Sequence, residues 1–208
     1  DLFREGVDLD EGDYLLTSGT RLADGSVLAR LAAFSVTADG ETEVPLVMRE
    51  DKEAVQVIGS FNSENRYFDL ASGEEQSVLA HTGRGYFVTG LIRANHEPTN
   101  HVLHDLEKLR GELEAWGRPI LLLFASHEEW QRFEKNRAEF TALPSTLSFG
   151  IDSTGAVARD LFGGTLAQGS ELPLIVLGDT FNRVVFASQG YTIGLGEQIK
   201  NTVSKIGE

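Results

Sequence analysis

The first fifty residues read as β. The apolar runs DYLLTSGTRL (13–22) and SVLARLAAFSV (26–36) flank Ala23-Asp24-Gly25, and Asp-Gly between apolar runs predicts a hairpin. Ala38-Asp39-Gly40 predicts a second turn and TEVPLVMRE (42–50) a third strand, with Pro45 confining it to an edge or a strand start. Three strands alone rarely make an independent core. This segment is therefore expected to pack on the later domain, or to complete a sandwich begun upstream of Asp1. The charged run Arg49-Glu50-Asp51-Lys52-Glu53 marks the boundary, dividing the chain into a β-strand element (1–52) and a second domain (53–208).

Beyond that boundary AVQVIG (54–59) and RYFDLAS (66–72) predict short strands, with Gly73 turning the chain toward Gln76-Ser77-Val78-Leu79. YFVTGLIRA (86–94) is apolar and β-branched, a buried strand. Leu103, Leu106, Leu109 and Leu113 recur at three and four residues and form one helical stripe. Gly117 fits its C-terminal cap and Pro119 blocks continuation. ILLLF (120–124) suits a central parallel strand. Ser126 opens a capping box with Glu129, and Trp130 and Phe133 share a face of the adjoining helix. LPSTLSFGID (143–152) holds a strand, and TGAVARDLFG (154–163) a helix stopped by Gly163-Gly164. LPLIVLGD (172–179) and RVVFASQG (183–190) are strands joined tightly around Asp179 to Asn182, and YTIGLGEQIKNTVSKI (191–206) is an amphipathic helix. From Tyr86 the order is β-α-β-α, a connection, then β-β-α: an α/β fold with a mixed sheet flanked by helices, preceded by a small antiparallel β element.

Charge narrows the partners. With 32 acidic against 18 basic residues the net charge is -14, and no cluster of Lys and Arg offers to neutralise phosphates, so nucleic acid is not an expected partner. No apolar run reaches the roughly 20 residues that cross a bilayer. The chain opens on Asp1 without a signal pattern and is expected to be a mature or excised piece of a longer polypeptide. Its count of 0 cysteines removes disulfides, thiolate chemistry, iron–sulfur clusters and cysteine-based zinc sites together.

The order of elements, and residues within it, carry a resemblance. NHEPTN (95–100) stands where secreted bacterial thiol-disulfide oxidoreductases of the thioredoxin-like class carry W-C-x-P-C-R. His96 and Thr99 fall on the two cysteines and Pro98 keeps its place. DSTGAVARDL (152–161) resembles that family's D-x-x-G-x-V-A-R-x-Y, FDLASGEEQSVL (68–79) its leading segment, and Leu172-Pro173 its cis-proline loop. Residues 58–206 thus resemble a cysteine-free thioredoxin-like domain. The whole chain also resembles the C-terminal region of secreted bacterial proteins with a transglutaminase-like domain upstream. These likenesses imply an exported protein, periplasmic or at the cell surface.

Thiol-disulfide exchange needs an attacking thiolate and a resolving thiol, and His96 and Thr99 supply neither. The expectation is therefore a domain that is not an enzyme. The resemblance leaves a groove lined by His96, Glu97, Pro98 and Thr99 on one side and by Ser170 to Leu174, with Leu172 and Pro173, on the other. It would receive a protein or peptide partner, or the upstream domain of the same parent chain, by backbone pairing and side-chain pockets. Other readings stand beside it. His96 and Thr99 suit a base and nucleophile of a hydrolase, or simply the start of a helix capped by Thr99 or Asn100. His101 and His104, three apart, suit a zinc ligand pair with Glu97 or Asp105, or two solvated side chains. A purely structural role, supporting an upstream domain, is the third. The acidic runs 8–11 and 50–53 lack calcium-loop spacing, the glycine-rich segments lack a phosphate-loop ending, and no cofactor or metal is expected.

Overall fold

The computed structural model describes residues 7–21, 27–37, 44, 57–165 and 170–206. Strands β1 (Gly12–Arg21) and β2 (Val27–Val36) pair antiparallel as a separate ribbon. Tyr14 stacks on Phe34 at 5.7 Å, an aromatic cross-strand pair of the kind that holds such ladders. The two expected Asp-Gly turns and the boundary run 49–53 lie outside the described residues, as does the third strand except for Val44.

The remaining strands are β3 (Gly59–Ser60), β4 (Arg66–Asp69), β5 (Glu75–Ser77), β6 (Tyr86–Leu91), β7 (Ile120–Phe124), β8 (Leu147–Ile151), β9 (Leu174–Asp179) and β10 (Arg183–Gln189). They form one mixed sheet in the order β3-β10-β9-β6-β7-β8-β4-β5. β6, β7 and β8 run parallel, and the other pairings are antiparallel. β7 shows why a short apolar run becomes a central strand. Ile120, Leu122 and Phe124 enter the core on one face, Leu121 and Leu123 that on the other, so the period of two is filled with apolar groups both ways. Helices α1 (Val78–Thr82), α2 (Glu97–Lys108), α3 (Arg110–Trp116), α4 (His127–Glu134), α5 (Ala156–Gly164) and α6 (Leu195–Ile206) cover the two faces.

Several local expectations change. Val78 and Leu79 begin α1 rather than continue a strand, because the Ser77 hydroxyl accepts a hydrogen bond from Ala80 N and caps a helical turn. The leucine stripe belongs to two helices, broken at Leu109 with φ -87° and ψ 7°, yet all four leucines stay buried. Gly163 and Gly164 lie inside α5, which ends at Thr165. Gly164 is there for contact: a Cβ on it would strike the backbone carbonyl of Ser60, and one on Gly59 the carbonyl of Gly164. Gly117 takes the left-handed C-cap with φ 67°, as its place before Pro119 predicts.

Buried carboxylates fix the connections. Asp152 accepts from Val157 N at 3.3 Å and Ala158 N at 2.8 Å, opening α5. Asp179 accepts from Phe181 N and Arg183 N across the β9–β10 turn and binds the Arg183 guanidinium. Under α1, His81 Nε2 lies 2.7 Å from Ser148 Oγ, with its ring edge-on to Tyr67. Burial pulls the His81 pKa below its ordinary value, partly opposed by the charge of Asp69. Its folded pKa being depressed, its contribution is whole above about pH 6.5, where the unfolded residue is neutral, and declines as pH falls and the unfolded chain takes the proton first. Urea midpoints at pH 7.5 and 5.5 should therefore separate further for the native chain than for His81→Gln. Equal separations would contradict this assignment.

Candidate functional site

The carboxyl end of β6 hands the chain to α2 through residues 92–96, and successive backbone N–H groups there are held individually. Ile92 N donates to Leu123 O at 3.0 Å, Arg93 N to Thr99 Oγ1 at 3.3 Å, and Ala94 N to Glu129 Oε2 at 2.9 Å. Asn95 sits at φ 50°, a left-handed geometry Asn tolerates better than most residues. Its Oδ1 accepts from Asn136 Nδ2 at 2.8 Å. Glu129 thus forms only half of the capping box expected of it. Ser126 Oγ does accept from Glu129 N, at 3.3 Å, but the Glu129 carboxylate reaches across to this turn and to Arg132.

α2 starts at Glu97, three to four residues earlier than a Thr99 or Asn100 cap would place it. His96 is the N-cap residue, with no side-chain capping bond, and Pro98 lies in the first turn, where its missing N–H costs nothing. Glu97 is exposed at the positive end of the helix. Thr99 is 0% exposed. Its Oγ1 accepts from Arg93 N and lies 3.2 Å from His96 Nδ1. Arg93 N–H fills one of the two acceptor positions of this hydroxyl, and the direction of the contact with Nδ1 follows the imidazole tautomer. A Thr closed off in this way is not presented to a substrate as a nucleophile. The base–nucleophile arrangement becomes instead a threonine that orients a half-buried histidine.

The Leu172-Pro173 peptide is cis, and Pro173 O accepts from Gly190 N at 2.8 Å. Leu174 pairs with Leu91 on one side and Gln189 on the other. The loops 92–96, 170–173 and 190–194 therefore leave neighbouring strands at one end of the sheet. Leu174 and Thr99 belong to the core and Pro173 is buried, whereas His96, Pro98 and Leu172 are half-buried and Glu97 exposed. In the third loop Ile193 is 95% exposed. The amphipathic pattern places it in the last helix, but Gly194, at φ 88°, precedes the start of α6. Asn95, Glu129 and Asn136 join the site without having been expected there. Only Asn95 has a local signal, the tolerance of Asn for positive φ.

The histidine pair of α2 is divided between partners. His101 lies 3.4 Å from Glu97 and stacks on Tyr191, while His104 lies 3.0 Å from Glu107 beside Phe140. Among the described residues no three His, Asp or Glu side chains gather as a metal ion would require.

No protein-family model and no curated protein matches the sequence. Solved structures do match. A thiol:disulfide interchange protein described as DsbE from Chlorobium tepidum aligns with a TM-score of 0.55 and 13% identity, over 72% of this chain and 97% of that one. BsSco, a member of the Sco family of cytochrome c oxidase assembly proteins, aligns with a TM-score of 0.55 and 14% identity, over 74% and 96%. The bacterioferritin comigratory protein of Xanthomonas campestris, described for its alkyl peroxide reduction activity, gives 0.54 and 15%, over 72% and 98%. The fold is thioredoxin-like.

These matches correct the expectation that the chain is not an enzyme. Thiol-disulfide oxidoreductases and peroxide-reducing proteins are enzymes, and their scaffold is the one found here. The missing cysteine removes thiolate chemistry from this chain's own side chains; it does not take the thioredoxin-like scaffold out of that catalytic company.

Proposed function

We propose that this thioredoxin-like chain recognises an extended polypeptide segment at the sheet end where loops 92–96, 170–173 and 190–194 emerge. The Leu91–Leu174 pairing carries the reading, because it sets the His96 turn beside the loop before β9. Crevices at the carboxyl ends of parallel strands are where open α/β sheets receive ligands. An isoleucine 95% exposed on the adjoining loop offers an apolar contact, and the Thr99-oriented imidazole of His96 offers a hydrogen-bonding group. An extended segment suits such a surface because its main chain bonds to loop backbone while alternate side chains take the pockets. The same proposal holds residues 53–208 to be the recognising domain, the segment to come from a partner or from the upstream part of an exported parent protein, and 1–52 to be a β element joined to it.

Peptides selected on the immobilised chain from a random displayed library provide the test. They are expected to bind saturably and to lose about tenfold or more in affinity with Ile193→Asp, a loss on the scale of an interface anchor. Ile193 is so exposed that this substitution leaves folding unchanged. Selected peptides indifferent to both Ile193→Asp and His96→Ala would overturn the proposal, as would failure to select any.

A further inference from the structure

At the opposite end of the sheet, where β6 begins at Tyr86, a cleft of about 550 Å³ opens between α3 and α6. That volume lies within the range of small-molecule sites, roughly 300–1,000 Å³. Its apolar lining comes from both helices: Leu113 and Trp116 from α3, Val203 and Ile206 from α6. Leu113 and Val203 are buried, and the Trp116 ring is half-buried.

Five polar side chains line this cleft, Tyr86, Glu112, Arg118, Lys200 and Ser204, two cations against one anion. Lys200 is engaged by Glu112 at 3.3 Å, an ion pair that bridges the two helices. Arg118 donates one N–H to Arg84 O at 3.3 Å; its other donors have no partner among the described residues. A guanidinium carries five N–H donors in a planar fork matched to a carboxylate. On a chain with a net charge of -14, a guanidinium with open donors beside an apolar cleft favours an anionic ligand at that place.

We infer that this cleft binds a small apolar monocarboxylate, its alkyl or aryl body against Trp116, Leu113 and Val203 and its carboxylate on Arg118. Glu112 acts as a resident competitor, since its own carboxylate occupies Lys200. The site is separate from the loops around His96, and the inference does not rest on peptide recognition there.

Octanoate and octan-1-ol, equal in chain length and different in charge, form the test pair, followed by tryptophan fluorescence of the intact chain. Octanoate is expected to saturate, with a signal that Trp116→Phe removes while Trp130 stays in place, and octan-1-ol to bind roughly tenfold more weakly. Arg118→Gln should weaken octanoate by a similar factor without moving the urea midpoint, because Arg118 is exposed. Glu112→Gln should tighten octanoate by freeing Lys200, and Ile193→Asp should leave it unaltered. Equal affinities for octanoate and octan-1-ol would overturn the inference, as would an unchanged octanoate affinity in Arg118→Gln or the absence of saturable octanoate binding.

Discussion

Phe124→Ala should lower the unfolding free energy by about 4 kcal/mol. Phe124 is 0% exposed, and its ring centroid lies 5.7 Å from Trp130, 5.2 Å from Phe133 and 6.0 Å from Phe149. Truncation removes the transfer energy of the ring and leaves a void that those neighbours fill only in part, since each is also packed on the others. Total stabilities of about 5–15 kcal/mol are usual, so a large share of the folded population's margin would be lost. Urea unfolding followed by far-UV circular dichroism measures it. Phe124→Leu, which restores much of the volume, should show a clearly smaller loss. A Phe124→Ala loss below about 2 kcal/mol would mean that the cluster is far more yielding than the core truncations behind this figure.

The second large effect reverses a general rule. Glycine to alanine inside a helix normally stabilises, by up to about 1 kcal/mol. Gly163→Ala should do so, because a Cβ there meets nothing within 4 Å. Gly164→Ala, one residue on in the same helix, should instead cost about 3 kcal/mol. Its Cβ would be driven into the Ser60 carbonyl, which is backbone and has no rotamer to move into. Relief requires separating the end of α5 from β3, and β3 is only the pair Gly59–Ser60 held to the edge of β10. Opposite signs for the two neighbours in urea melts support this packing; equal signs would refute it.

Those two positions show where the sequence was informative and where it was silent. Phe124 closes a run of five apolar residues, and a run with no polar member predicts a strand buried on both faces. Gly163-Gly164 suggests a helix stop, because composition reports conformational freedom and not what approaches from a distant segment. The leucine stripe hides the interruption at Leu109 for a related reason: one more residue of non-helical backbone leaves the apolar spacing intact. The loops of the proposed docking surface fare likewise. Their order and the His96–Thr99 turn come from strand and helix signals together with the family likeness. Ile193 escapes notice because its apolar character suits an amphipathic helix that begins only after Gly194. The enzyme question failed differently, since a missing residue type describes side-chain chemistry and says little about the kind of scaffold that carries it.

The reach of Glu129 to Ala94 has one more consequence. A helix lying beyond the next strand supplies the acceptor that holds the entrance to the His96 turn, and Asn136, just past that helix, holds Asn95. The posture of the proposed docking loop is thus inherited from the seat of α4. Because α4 and α2 pack into one core cluster on the same face of the sheet, the turn that opens α2 is braced from its own side of the sheet.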